Sequence, residues 1–422
     1  MKISIIGGGY VGTVTGVCLA ELGNDVTIVE IDRKKIDSIN SKIPPLFEPG
    51  LKELLEKNGH RVDATDDINT AIETTDVTFI CVGTPSREDG SIDLAYIEKA
   101  AASIGKALEK KAQYHLVVVK STVIPGTCDS VIAPLIAEYS KKQAGVDFSV
   151  CSNPEFLREG RAVYDFFHPD RIILGSEDPQ CIQVLQGLYT QFSCPVFKCS
   201  LKTAEMIKYV SNSFLAVKIS FANEIGNLSK ALGIDSYKVF EGAGMDSRIG
   251  PLFFNAGLGF GGSCFPKDVA ALQRLGESKG LKMMLLDAAL KINRGQHKTV
   301  ITLLERYIPI KGKKIGILGL AFKPDTDDIR EAKSIDLVSS LLSHGAKIVA
   351  YDPMAMDQFR KIFPEINCAS SSRDLVRDSD AVVIVTEWKE FEDLDYSGKI
   401  VVDGRRILKA RDTASVYEGV CW

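Results

Sequence analysis

Cys264 stands between a run of small residues, Leu258-Gly259-Phe260-Gly261-Gly262-Ser263, and a stretch, Phe265-Pro266-Lys267-Asp268, that leads into the helical pattern Val269-Ala270-Ala271-Leu272. Pro266 suits the first turn of a helix. Unpaired N–H groups and the positive dipole end at such a start favour a thiolate, and Lys267 adds a cation beside it. Gly257, Gly259, Gly261 and Gly262 let backbone or ligand approach closely. Two readings stay open here: an activated nucleophile, or a buried structural cysteine beside a glycine turn. Lys208 and Asn212 lie four positions apart, hence on one helix face, and together could hold a developing oxyanion. Taken alone, a Lys and an Asn on a helix are ordinarily surface residues.

Such groups need a frame, and the chain supplies one at its start. Lys2 to Ile6 is a short apolar strand that enters Gly7-Gly8-Gly9-Tyr10-Val11-Gly12; a helical pattern runs to Leu22, and a second strand, Asp25 to Val29, ends in Glu30. This is GxGxxG in its strand–turn–helix setting. Gly7 makes the turn, Gly9 admits a pyrophosphate, and Gly12 lets helix pack on strand. Glu30 would accept hydrogen bonds from a ribose and repel a 2′-phosphate, which selects NAD over NADP; Arg33, Lys34 and Lys35 weaken that choice. Further apolar runs end in polar turns: Asp76–Val82 in Gly83-Thr84-Pro85, His115–Val119 in Lys120-Ser121-Thr122, and Phe148–Cys151 in Ser152-Asn153-Pro154-Glu155. They suit a parallel sheet covered on both faces, with ligand contacts at the strand C-termini. Thr122, Glu155 and Glu159 are therefore site candidates, or else turn and cap residues only.

From Lys202 the period changes. Ile207, Val210, Phe214, Val217, Phe221, Ile225 and Leu228 recur at helical spacing, and Gly233 is the stop. This predicts a helix of roughly thirty residues, about 45 Å long, that joins two domains and offers a subunit contact. Residues 281–308 read as helical again up to Pro309. Then Lys314 to Leu320, a glycine turn, a helix over about Ser334 to Leu342, Gly345, and the strand Lys347 to Tyr351 ending in Asp352 repeat the opening order, with the insertion Phe322 to Arg330. Ala381–Val385 and Lys399–Asp403 are further buried strands. The repeat implies a second nucleotide-binding-like domain. The expected fold is α/β: two Rossmann-like doubly wound domains, 1–198 and 310–422, joined by a central helical domain, 199–309, that carries the cysteine loop.

Composition excludes several classes. The 422 residues are 45% hydrophobic and 25% charged with a net charge of −4, as in ordinary globular proteins and without the basic excess that nucleic acid demands. Ten cysteines and five histidines show no metal-ligand spacing, so no metal is expected, and most cysteines read as small buried hydrophobes in a reducing compartment. The N-terminus enters a strand without a leader pattern, and no apolar run reaches membrane length. A soluble cytoplasmic protein is expected.

Two nucleotide-binding-like domains and one candidate nucleophile call for two nucleotides: a hydride acceptor and a nucleotide-linked substrate. Here the chain resembles the UDP-glucose 6-dehydrogenase family, within the nucleotide-sugar dehydrogenases, essentially from end to end. The resemblance rests on Gly7 to Gly12, Phe47-Glu48-Pro49-Gly50-Leu51, Val82 to Pro85, Lys120-Ser121-Thr122, Asn153 to Gly160, Gly259 to Asp268, Phe322-Lys323 to Arg330, and Asp403-Gly404-Arg405-Arg406.

The resemblance implies oxidation of the sugar C6 alcohol to a carboxylate with two NAD and one water. Cys264 would attack the C6 aldehyde, and the thiohemiacetal would become a thioester that water hydrolyses. Lys208 and Asn212 would stabilise oxyanions, with Lys208 also a possible base; Asp268 and Thr122 would position water, and Glu155 would assist hydrolysis. Phe156, Leu157, Phe253, Gly261, Lys323 and Arg405 would surround the UDP-sugar with Glu155, Lys208 and Asn212. Arg248 resembles an arginine that reaches a neighbouring subunit's substrate, which implies a homodimer or larger homo-oligomer. Gly7, Gly9, Tyr10, Val11, Gly12 and Glu30 would line NAD, along with Lys35, Thr84, Thr122, Glu159, Lys267 and Arg330. Glu30 departs from the Asp of many members. Phe265, His168 to Ile172 and Ser247-Arg248 resemble the UDP-glucose enzymes more than those for GDP-mannose, and Ser263 departs from the His usual before this Cys in enzymes for UDP-N-acetylhexosamines. The alternatives are a dehydrogenase of one of those other sugars, a two-electron dehydrogenase of the hydroxyacid type, and a catalytically silent nucleotide-sugar sensor.

Overall fold

Short apolar runs that stop at glycine or acidic turns become the strands of two sheets. The computed structural model covers residues 1–422, and the chain forms two compact units, Met1–Val210 and Ser211–Trp422.

The first unit holds β1 (Lys2–Ile6), β2 (Asp25–Val29), β3 (Val62–Thr65), β4 (Val77–Ile80), β5 (His115–Val119), β6 (Phe148–Ser152), β7 (Ile172–Gly175) and β8 (Val196–Cys199). Their order is β3-β2-β1-β4-β5-β6-β7-β8. The first six are parallel in that sheet. β7 meets β6 antiparallel at Ser152 and Gly175, and β8 runs parallel to β7. Leu116 and Val118 enter the core on one side of the sheet, Val117 and Val119 the core on the other, the period of two expected of a doubly covered strand. The order reverses between β1 and β4, and open α/β sheets take their ligands beyond the strand ends at that point.

The second unit holds β9 (Lys314–Leu318), β10 (Lys347–Tyr351), β11 (Asn367–Cys368), β12 (Ala381–Ile384), β13 (Ile400–Asp403) and β14 (Val416–Gly419). All pair in parallel, in the order β11-β10-β9-β12-β13-β14. That is the order of the first six strands over again, so the repeat read in the sequence is a repeat of topology. One apolar core joins the helical part of this unit to its sheet, from Phe240, Phe254 and Leu258 through Ile315 and Val383 to Val402. The pattern over 281–308 runs as two helices, Met284–Gly295 and His297–Glu305, with Gln296 between them. Gln296 is buried there and donates to Asn227 and to the Cys421 sulfur.

The long helix is Leu201–Ala231, 31 residues. Its buried side is not the apolar stripe that reveals it in the sequence. Val210, Phe214, Phe221 and Leu228 are each at least half exposed, whereas Lys208, Asn212, Ser213, Ser220 and Asn223 are buried. Small and polar side chains let other backbone come close; Lys208, Asn212, Ser220 and the Asn223 side-chain oxygen are hydrogen-bonded there. No helix is long and apolar enough to cross a membrane.

Candidate active site

At the head of the first sheet the glycine turn is built as its spacing requires. Gly7 has φ +104°, and a Cβ at Gly12 would collide with the Gly7 carbonyl, so helix Tyr10–Glu21 starts against the turn itself. Apart from the adjoining chain, no protein atom lies within 4 Å of the place a Cβ would take at Gly9. The backbone is open to a ligand there, as a pyrophosphate on a helix N-terminus needs. Glu30 closes β2: its carboxylate accepts N–H bonds from Gly8 (3.0 Å), Ile31 (2.7 Å) and Asp32 (3.1 Å), with the Lys35 ammonium at 3.7 Å. These residues fit an adenine dinucleotide. Thr84 donates to the Thr122 carbonyl (2.9 Å), which ties two more predicted cofactor residues together.

Sequence reasoning gave Glu48 no role of its own, yet it is buried and central. Tyr10 donates to it, as do the N–H groups of Gly160 (2.8 Å) and Ala162 (2.6 Å). It thereby fixes the end of the segment that carries Glu155, Phe156, Leu157 and Glu159. Within that segment Glu155 is buried and pairs with buried Lys208 at 2.9 Å; the Lys208 ammonium also donates to the Glu155 carbonyl (2.8 Å). The Leu157 N–H donates to the second carboxylate oxygen (2.6 Å). Phe156 lies under the Arg171 guanidinium at 3.9 Å and within 5.5 Å of the Lys208 ammonium.

Burial pushes the Glu155 carboxyl up, but Lys208, the Leu157 N–H and the Lys120 charge outweigh it and hold the group below its ordinary 4.5. A carboxyl lowered by folding contributes stability in full above about pH 4.5, lost as pH falls through the folded-state value. We therefore expect Glu155→Gln to be less stable than the unmodified protein by about 3 kcal/mol at neutral pH, because a buried Lys208 loses its counter-ion. The gap should narrow below pH 4.5, as followed by urea unfolding across pH. A gap that stays constant down to the acid limit would dissociate the pair from stability.

In the second unit Cys264 is the N-cap of helix Phe265–Ser278, with Pro266 in its first turn. Of the ten cysteines it is the exposed one, so the reading as a buried structural thiol is overturned. Ser263 Oγ lies 3.6 Å from its sulfur. The Cys264 carbonyl accepts the N–H of Asp268 (2.8 Å), which turns the buried Asp268 carboxylate toward Asn212 (2.6 Å) and Lys267 (2.6 Å). Lys267, expected as a cation for the thiolate, is thus neutralised by its own neighbour; the helix terminus is the field that remains.

The glycines before Cys264 are taken up by the chain itself. A Cβ at Gly261 would collide with the Glu331 carbonyl, and one at Gly257 with the Gly404 carbonyl. Gly261, predicted at the substrate, is thus first a point of backbone packing. Two buried amides that the sequence reading passed over pin the same loop. Asn293 accepts the Phe260 N–H (2.8 Å) and donates to the Phe260 carbonyl (2.9 Å), while Asn223 accepts the Gly257 N–H (2.8 Å). Asn223 lies eleven positions, three helical turns, past Asn212; that spacing is the signal that could have found it.

The predicted sugar-nucleotide residues of this unit largely gather on that loop, together with Arg330, which is expected at NAD. The Arg330 carbonyl accepts the Gly262 N–H (2.9 Å), and its guanidinium pairs with Asp328 (2.6 Å). A Cβ at Gly262 would come within 2.8 Å of the Phe322 ring, over which the Lys323 ammonium lies at 5.4 Å. Arg405 donates to the Val385 carbonyl (2.7 Å) and reaches the Gly259 carbonyl at 3.5 Å; its own N–H is held by Asp403 (2.7 Å). Phe253 has φ +68° with its ring 6.2 Å from that of Phe265, a strained backbone of the kind retained at functional positions. Arg248 stands outside this group, exposed and paired with Asp246 at 2.6 Å. The repeat's acid, Asp352, is wholly enclosed: it accepts N–H groups from Leu320, Ala321, Met354 and Ala355 and from the Trp388 indole.

The family models agree with this order of parts. Residues 1–193 match the NAD binding domain of the UDP-glucose/GDP-mannose dehydrogenase family, residues 202–295 its central domain and residues 316–410 its UDP binding domain. NAD is therefore the cofactor. The chain is 46% identical to the UDP-glucose 6-dehydrogenase AglM of Haloferax volcanii over 98% of both chains. It is 37% identical to the GDP-mannose 6-dehydrogenase of Pseudomonas aeruginosa over the full length of both. The structure of a UDP-glucose dehydrogenase from Pyrobaculum islandicum superposes with a TM-score of 0.96 at 45% identity, over 100% of this chain and 97% of that one. With all three domain models matched in order on two parallel sheets and a long helix, the chain belongs to the UDP-glucose/GDP-mannose dehydrogenase family and is an NAD-dependent oxidoreductase.

Proposed function

We propose that the chain oxidises UDP-glucose at C6 to UDP-glucuronate, a four-electron reaction with Cys264 as the covalent nucleophile. The observation that carries this reading is the one exposed cysteine at a helix N-cap, on a loop pinned by Asn223 and Asn293 and followed by Asp268 bonded to Asn212. NAD, when bound, supplies the hydride acceptor, two equivalents for each sugar.

Lys208 and Asn212 hold the C6 oxygen as its proton passes to Glu155 or Asp268, and again as negative charge gathers on it. Lys208 pairs with Glu155, which suits an ammonium that donates to an oxyanion. The Cys264 thiolate adds to the C6 aldehyde to give a thiohemiacetal, and loss of the second hydride leaves a thioester. Water gives one proton to Glu155 or Asp268 as it attacks that carbonyl; collapse of the tetrahedral adduct expels the Cys264 thiolate, and the carboxylic acid formed loses its second proton to solvent, which leaves the carboxylate and restores the thiolate. Thr122 orients the water. The division of labour is 1–198 for NAD, 199–309 for the cysteine loop, and 310–422 for the UDP-sugar, where Lys323 and Arg405 meet phosphate and uridine and Phe156, Leu157 and Phe253 face the sugar. The exposed stripe of Val210, Phe214, Phe221 and Leu228 supports a homodimer, in which exposed Arg248 would leave Asp246 to reach a second subunit. Ten cysteines without a disulfide suit the reducing cytoplasm.

The test is purified protein with NAD against UDP-glucose, GDP-mannose and UDP-N-acetylhexosamines, with rate and stoichiometry read together. UDP-glucose should give two NADH per sugar. A yield of one would reduce the enzyme to a two-electron dehydrogenase, and binding without any NADH would make it a sensor.

A further inference from the structure

Lys120 is a buried titratable group that the mechanism above leaves unused. It follows β5, its side chain is buried, and its ammonium donates to Asn153 Oδ1 at 3.0 Å without an ion-pair partner. The same oxygen accepts from Tyr189 (2.7 Å), and the Asn153 amide nitrogen donates to the Ile173 carbonyl (2.9 Å), so the amide cannot turn to offer anything else. Two residues past Asn153 comes Glu155, already paired with Lys208. One buried carboxylate therefore stands among two buried lysines. A buried ammonium answered only by a neutral amide is costly to keep, and a well-packed apolar side chain would avoid that cost.

We propose that Lys120 is a positioning residue of this enzyme: a buried cation that keeps Glu155 ionised while the Lys208 charge is shared with the substrate oxyanion. The inference rests on the reaction proposed above. The groups around Lys120 are Cys81 at the end of β4, Cys151 of β6, Tyr189, Glu155, and Lys208 of the long helix. Burial lowers the Lys120 amine, Cys81 and Glu155 oppose that, and Lys208 adds to it. Conversely, Lys120 is one of the charges that hold the Glu155 carboxyl down. Without that charge, Glu155 takes up its proton at higher pH, and activity that needs the carboxylate fails earlier as pH falls.

The experiment compares the pH profile of kcat in the unmodified protein, Lys120→Gln and Lys120→Arg, with UDP-glucose and NAD saturating. Lys120→Gln keeps a donor for Asn153 but not the charge, and its acid flank should move to higher pH, with relative activity there lower by about threefold or more. Lys120→Arg should restore the flank. A loss of rate at every pH alike, or an arginine variant displaced as far as the glutamine one, overturns the proposal. Should Lys120→Gln not fold, Asn153→Asp quenches the same charge with a carboxylate, and its flank must move the same way. Acid unfolding gives a readout that needs no turnover: Lys120→Gln should lose stability at higher pH than the unmodified protein. If the unmodified protein does not oxidise UDP-glucose, the reaction proposed above fails, and the unfolding comparison still decides whether Lys120 governs Glu155.

Discussion

Cys264→Ser should yield no UDP-glucuronate at a measurable steady rate, an expected loss of at least about 10³-fold in kcat. In the proposed reaction Lys208 and Asn212 act on the C6 oxygen before any covalent bond forms, so the first oxidation would not require sulfur. The second does, because an aldehyde gives up hydride readily only once a nucleophile has added, and a serine hydroxyl at a helix N-cap is far less ionised than a thiol. Single-turnover absorbance should therefore show at most one NADH per site, while NAD and UDP-sugar affinities, read by calorimetry, stay close to those of the unmodified enzyme. Cys264 is exposed and packs no core, so the substitution should leave the thermal midpoint nearly unchanged. Uronate formation at the original rate would remove Cys264 from the chemistry.

Lys208→Ala should cost about 2.7–4 kcal/mol of transition-state stabilisation, or about 10²–10³-fold in kcat, the loss expected for one preorganised oxyanion donor. The same ammonium is the counter-ion of Glu155, so the variant also leaves a buried carboxylate unpaired, at about 3–5 kcal/mol of stability. A second substitution separates the two effects. In Lys208→Ala/Glu155→Gln the unpaired charge is gone, and stability should largely return while kcat does not. Recovery of both in the double variant would make Lys208 a structural residue, and a single variant at full rate would exclude it from catalysis.

The cofactor turn is legible in the sequence because its demands are local. Gly7, Gly9 and Gly12 each answer a steric requirement within one strand–turn–helix unit, and Glu30 sits at the end of the adjacent parallel strand. The strands β1, β2, β5 and β10 were readable for the same reason: each is a bounded apolar run. The two-stranded extension β7–β8 was not read, since its half-exposed β8 lacks the continuous apolar signal of a strand covered on both faces. The long helix was legible in extent but not in orientation. Four of the seven apolar residues that mark its period stay exposed, while its buried face carries Lys208, Asn212 and Asn223.

By itself, then, the sequence determined the two nucleotide-binding-like sheets and the length of the helix, because these follow from spacing along the chain and from conformational limits on glycine and proline, and its motifs carried the resemblance to the family; between a nucleophilic and a buried structural Cys264 it left the choice open. Only the tertiary structure decided the pairings: Glu155 with Lys208, Asp268 with both Asn212 and Lys267, Glu48 with the 160–162 backbone, Asn293 with Phe260, and Lys120 with an amide in place of a carboxylate. It also enclosed Asp352 among backbone donors while leaving Glu30 at the edge of an open turn, although the two acids hold the same place in the repeat. The physical reason is that a buried charge takes its state from whichever groups surround it in space, and residues separated by dozens of positions leave no periodic trace of that meeting.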